Sequence, residues 1–160
     1  MIAVPRNPRL PLRIAHEVRD ACLCLHLQRA ARIVARRYDE AFRGLRLTSG
    51  QFSLLMALHR DAPAHVAAVA ALLGADRTTI TANLKPLIRS RLVAVAHDAS
   101  DRRRRQLRLT PAGRRMLADA IPIWRRIQIE LGRRVASPGR LNAALRALGA
   151  ADADRQWIDR

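Results

Sequence analysis

The chain has 160 residues, 49% of them apolar but only 3% aromatic, which suits a folded, mostly helical protein packed on Leu, Ala, Ile and Val. That length holds one domain, or a small domain with added oligomerisation helices. Thirty lysines and arginines against 13 acidic residues leave a net charge of +17. This excess excludes a polycationic partner and favours nucleic acid first, an anionic membrane surface second and an arginine-rich genome third.

Residues 1–13, with Pro5, Pro8 and Pro11 and no apolar run, read as a flexible arm and not as a secretory signal. From about Ile14 to Leu45 apolar residues recur at Ala21, Cys24, Leu27, Ala31, Val34, Tyr38, Ala41 and Leu45. Steps of three and four predict one long amphipathic helix. Its length suggests packing against a partner chain, so residues 14–46 are assigned as an N-terminal dimerisation helix.

Residues 47–110 are assigned as a DNA-binding domain. Thr48 caps its first helix, with Gln51 completing a capping box and Phe52, Leu55, Met56 and Leu58 as apolar positions. After Asp61-Ala62-Pro63, His65 to Leu73 reads as a short buried helix ended by Gly74. Asp76 caps the next helix, Arg77 to Ser90, which buries Ile80, Leu84, Leu87 and Ile88. Two short helices joined by a tight turn form a helix-turn-helix. Leu92–Ala96 and Gln106–Thr110 are then β-type runs around a basic tip, His97 to Arg105, predicting a hairpin.

Residues 111–160 are assigned as C-terminal dimerisation helices. The first opens at Pro111 and carries Leu117, Ile121, Trp124, Ile127, Leu131 and Val135, with a kink expected at Pro122. Ser137-Pro138 opens the last, with Leu141, Leu145 and Leu148, stopped by Gly149. The fold class is therefore mainly α with a small β-hairpin wing: a winged helix-turn-helix flanked by N- and C-terminal dimerisation helices.

With Ile80, Leu84 and Leu87 inward, the opposite face of the second helix shows Thr78, Ala82, Lys85 and Arg89, flanked by Thr79 and Thr81 and preceded by Arg77. Short hydroxyls and cations on a slim surface suit a major groove about 12 Å wide, with Lys85 and Arg89 on phosphates. From this helix alone an ordinary solvated face reads equally well. The hairpin tip favours DNA. Arg102, Arg103, Arg104 and Arg105 repel one another in isolation but gain from the negative potential of a minor groove, and Asp101 can fix a guanidinium.

The stretches Leu47-Thr48-Ser49-Gly50-Gln51-Phe52, Asp76-Arg77-Thr78-Thr79-Ile80-Thr81 and Asp98-Ala99-Ser100-Asp101-Arg102-Arg103, leading into Leu107-Arg108-Leu109-Thr110-Pro111-Ala112-Gly113, resemble the multiple-antibiotic-resistance regulator (MarR) family of winged-helix repressors. The resemblance covers roughly residues 21 to 132. It implies a homodimer reading a pseudo-palindrome in double-stranded DNA, with Asp101 and Arg103 pairing to place an arginine in the minor groove. The recognition-helix hydroxyls carry over to Thr78, Thr79 and Thr81. Members commonly have arginine after the last of these, where this chain has Ala82.

The resemblance also implies release of DNA by a small-molecule effector or an oxidant. Cys24 falls where the hydroperoxide-sensing branch keeps its reactive cysteine, and Tyr38 matches one supporting tyrosine; Gln28 and Ser49 stand at the other two positions. Cys24, Gln28 and Tyr38 are the effector or redox candidates, with a small core residue as the plainer reading of Cys24. On one continuous helix Cys22 and Cys24 point about 200° apart and do not bridge easily.

No cofactor or metal site is expected, His16 and His26 being solitary, and no nucleophile–base pair or glycine-rich phosphate loop suggests an enzyme. The longest apolar run, Val66 to Ala75, is too short for a bilayer. Two cysteines without a signal place the chain in the cytoplasm. The rival class is a basic nucleoid or RNA-binding protein without sequence-specific regulation, which accounts for the charge but not for a capped helix beside a wing.

Overall fold

A computed structural model describes residues 10–97 and 105–149 of the chain. The chain divides into two compact units, Met1–Arg36 and Arg37–Arg160.

In the first unit, α1 spans Leu12–Ala21, and α2 starts at Leu23 and runs on to Phe42. The single helix expected from Ile14 to Leu45 is thus interrupted. Cys22 leaves the helical region at φ −76° and ψ 104°, while its N–H still donates to the Val18 carbonyl. Helical bonding resumes at once, with the His26 N–H on the Cys22 carbonyl at 3.1 Å. A helix break orphans backbone carbonyls, and the His26 ring answers one of them, its Nε2 lying 3.3 Å from the Asp20 carbonyl. Arg19 closes a two-pronged pair on the Asp20 carboxylate. The helix also begins two residues inside the segment expected to be an arm.

The second unit holds the rest of α2, a 3-10 turn at Arg43–Leu45, α3 (Ser49–Ala57), β1 (Ala64–His65), α4 (Val66–Leu72), α5 (Arg77–Arg89), β2 (Val93–His97), β3 (Arg105–Leu109), α6 (Pro111–Gly132) and α7 (Pro138–Gly149). It is mainly helical with one small antiparallel sheet, a winged helix-turn-helix. The strands lie in the order β1-β3-β2, Val95 opposite Leu107 and Ala64 opposite Leu107 on the other side. β1 is a strand that the helical reading of His65 to Leu73 did not contain. Two residues are too few to show an alternation; the pairing with β3 makes them extended.

Capping sets the helix starts. Thr48 and Gln51 form the reciprocal box at α3, and Asp39 of α2 accepts a further bond, 2.6 Å, from the Ser49 N–H. Thr110 caps α6 by accepting from the Gly113 N–H and donating to the Arg91 carbonyl. The core gathers Phe42, Phe52, Leu54, Leu55, Val69, Leu84, Leu87, Leu107 and Leu117. Phe42 lies between Tyr38 and Phe52, with ring centroids 5.9 and 5.0 Å away. Ile80, Leu84 and Leu87 are buried as expected from their spacing, but Ile88 is exposed. It sits one residue past Leu87, about 100° around the helix and off the inward stripe. On the surface Arg37 of α2 pairs with Glu130 of α6 at 2.8 Å. This guanidinium, with Arg134 adding to it, holds the Glu130 carboxyl below its ordinary range.

Candidate nucleic-acid interface

The helix-turn-helix is built by local rules. Helix α4 ends at Leu72 with Leu73 as its C-cap, and Gly74 turns the chain with φ +59°, a conformation costly for residues with a side chain. Asp76 then opens α5, its carboxylate accepting from the Thr79 N–H at 2.7 Å and the Thr79 hydroxyl at 2.8 Å. These two bonds, the backbone one first, hold the Asp76 carboxyl below its ordinary value. The positive N-terminal end of α5 adds to the same preference.

The outward face of α5 is as the spacing predicted. Arg77, Thr78, Thr79, Thr81, Lys85 and Arg89 are all exposed. Their hydroxyls are not equivalent. Thr79 donates to Asp76, and Thr81 donates to the Arg77 carbonyl at 2.7 Å. Both oxygens therefore retain lone pairs but have committed their hydrogens. The Thr78 hydroxyl makes no hydrogen bond within the described residues, so it can both donate and accept. The exposed Ala82 offers nothing but a methyl.

The wing is brought beside this helix. Arg105, the first residue of β3, lines one groove of about 660 Å³ with Arg77 and Thr81 of α5 and His65 of β1. The His65 ring nitrogen Nδ1 lies 3.4 Å from the Arg105 carbonyl, joining β1 to the wing base. His65 was not among the residues singled out from the sequence, because only the unforeseen β1 pairing brings it here. Asp101, Arg102, Arg103 and Arg104, with the rest of the hairpin tip, lie outside the described residues.

The sensing candidates fall in two places. In the first unit Cys24 is exposed, and Gln28, one turn on, donates to its Sγ from 3.2 Å. The break at Cys22 removes the premise that Cys22 and Cys24 share one continuous helix. In the second unit Tyr38 is half-buried on Phe42, and burial raises its hydroxyl pKa. A separate apolar cavity of about 350 Å³ opens between α3, α4 and α6, lined by Phe52, Ser53, Met56, Leu73, Ile121 and Trp124. Ser53 supplies the one side-chain polar group on that apolar wall apart from the Trp124 ring N–H. Among the described residues no group of three or more His, Cys, Asp or Glu side chains could hold a metal ion. Among the same residues no helix is long and apolar enough to cross a membrane.

A sequence model of the MarR family matches residues 44–104. The chain is similar to the transcriptional regulator MosR of M. tuberculosis, solved in complex with DNA, with 36% identity and a TM-score of 0.74 over 86% of this chain and 99% of that one. It is similar also to the transcriptional repressor CouR, bound to a 23-mer DNA duplex, with 28% identity and a TM-score of 0.70 over 82% of this chain and 92% of that one; a CouR structure is from Rhodococcus jostii RHA1. A third likeness is to BpsR of Bordetella bronchiseptica, whose DNA binding is regulated by 6-hydroxynicotinic acid, with 25% identity and a TM-score of 0.72 over 82% of this chain and 96% of that one. By sequence no curated protein matches the chain.

Proposed function

The chain belongs to the MarR family of DNA-binding transcription regulators, which are not enzymes, and from that premise we propose that it is a cytoplasmic homodimeric repressor of a pseudo-palindromic operator. The observation that carries this reading is the shared groove: Arg77 and Thr81 of the exposed α5 face stand with Arg105 at the wing base around one cleft. A helix in the major groove and a wing over the adjacent minor groove need that adjacency.

In this reading Thr78, Thr79 and Thr81 meet base edges or phosphates, while Arg77, Lys85 and Arg89 meet phosphates. Asp101 and Arg103 form the pair that aims an arginine into the minor groove, with Arg102, Arg104 and Arg105 on the flanking backbone. The dimer is made by the terminal helices, residues 14–46 and 111–160. Their exposed apolar side chains, among them Leu23, Leu27, Ile33, Ile129, Leu141 and Leu145, support that assignment. Two α5 helices then enter successive major grooves about 10 base pairs apart.

Release follows a small-molecule or oxidant signal. The apolar cavity under Trp124 is the seat for a small molecule, as the regulation of BpsR by 6-hydroxynicotinic acid suggests. Cys24, with Gln28 on its sulfur, is the candidate for the oxidant. Changing Arg103 to Ala tests the wing: operator affinity should fall while the sedimentation of the dimer is unchanged. Unaltered affinity at fixed salt would remove the wing from the interface. A peroxide response should vanish in Cys24→Ser, and one that persists would leave only the small-molecule route.

A further inference from the structure

A second cavity, of about 270 Å³, lies away from α5, where the loop after α3 meets the end of β3 and the start of α6. His59, Arg60 and Asp61 of that loop line it with Arg108 of β3 and Arg114 of α6. Leu58 and Leu109, whose side chains are buried in the core, complete the lining. We propose that this cavity is a binding site for a small organic dianion, a phosphate monoester or a dicarboxylate.

Charge is the first argument. Three guanidiniums and an imidazole surround the space with one carboxylate, Asp61, among them. The guanidiniums of Arg60 and Arg108 form no hydrogen bond or ion pair within the described residues. Cations gathered around a concave surface raise the local potential and draw in an anion. Preorganisation is the second. Arg114 donates from Nη1 to the Leu109 carbonyl at 3.2 Å, which pins a guanidinium that still has other N–H groups to offer. A pinned fork loses less freedom when it grips a planar or tetrahedral anion.

Strand geometry supplies the third. Leu107 and Leu109 are buried, so Arg108 between them stands on the opposite face of β3. Its partner across the sheet is Ala94, too small to cover it. The volume, about 270 Å³, exceeds what one phosphate or carboxylate group fills and leaves room for a short carbon body. None of the lining residues belongs to α5 or to the groove at Arg105, so the anion and a duplex occupy the protein together. The site is independent of the repressor reading.

The test is calorimetric titration of the full chain, free and saturated with duplex DNA, with phenyl phosphate in one arm and succinate in the other. Arg60→Gln/Arg108→Gln removes two guanidiniums that make no bond within the described residues. Its affinity for the bound anion should fall about tenfold or more, the scale of a lost charge-assisted hydrogen bond. The control Arg29→Gln/Arg32→Gln on α2 removes the same charge and should lose much less. Binding of either arm supports the site and names its acid. Failure of both, an equal loss in the control, or exclusion of the anion by duplex overturns it. Arg60→Gln alone, on a loop, gives the same reading should the double variant unfold.

Discussion

Gly113 of α6 lies directly beneath the carbonyl of Leu92, the residue before β2, and a Cβ built on Gly113 would fall on that carbonyl oxygen. The neighbour is backbone and cannot swing aside. Close contact here is what seats α6 on the foot of the wing, together with the Thr110 hydroxyl bonded to the Arg91 carbonyl at 2.7 Å. Gly113→Ala should therefore destabilise the protein by roughly 1–3 kcal/mol, the usual cost of overpacking. Urea unfolding checks this; an unchanged midpoint would show that α6 is not held at that distance.

The α3 capping box offers a second stability test. Thr48 accepts from the Gln51 N–H, and the Gln51 side chain accepts from the Thr48 N–H at 3.0 Å. Thr48→Ala should cost about 1 kcal/mol, a typical N-cap loss, and Thr48→Ser should recover most of it. Equal losses in the two variants would mean that the methyl group, not the hydroxyl, matters.

Asp76 links stability to pH. Its folded carboxyl is held below the ordinary value of 3.8 by bonds from Thr79. A depressed acid contributes its stabilisation above the unfolded value and loses it as pH falls through the folded one. Asp76→Ala should melt earlier than the parent at neutral pH, and the gap should close as the solution is acidified below 3.8. A gap that stays constant in acid would assign the loss to packing.

On the α5 face proposed to meet DNA the three threonines should differ. Thr78 alone among them keeps its hydroxyl hydrogen for a partner, since those of Thr79 and Thr81 are donated within the protein. Thr78→Val should weaken operator binding by about 1 kcal/mol, one neutral hydrogen bond, and Thr81→Val by less. Arg77→Ala should instead weaken all duplexes alike and lower the salt slope by about one. Fluorescence titrations over a salt series separate these outcomes.

Filling the apolar cavity should uncouple sensing from binding. Met56→Trp places a ring against Trp124 and Ile121 without touching α5. Such a variant should hold its operator in the presence of any small molecule that releases the parent. Release at the parent's concentration would put the effector elsewhere.

What the sequence made legible was local. The Thr48–Gln51 box, the Asp76 cap and the inward stripe of α5 depend on residues three or four apart, and the chain displays them directly. The interruption at Cys22 carries no proline or glycine, so periodicity ran straight through it. β1 is two residues long and exists through its pairing with β3, which is why His65 was missed as a neighbour of Arg77. The reason for Gly113 is a contact with Leu92 across 21 positions of sequence, invisible to any short window. Ile88 shows the limit of composition: an apolar residue one step off the stripe faces water.

The central claim is that this fold reads a particular sequence, and selection of bound duplexes from a random pool at fixed salt measures that directly. The account predicts one enriched inverted repeat with half-sites about one helical turn apart, bound far more tightly than scrambled DNA. An unenriched pool, bound with equal affinity whatever its sequence, would contradict it and leave a basic protein that coats nucleic acid.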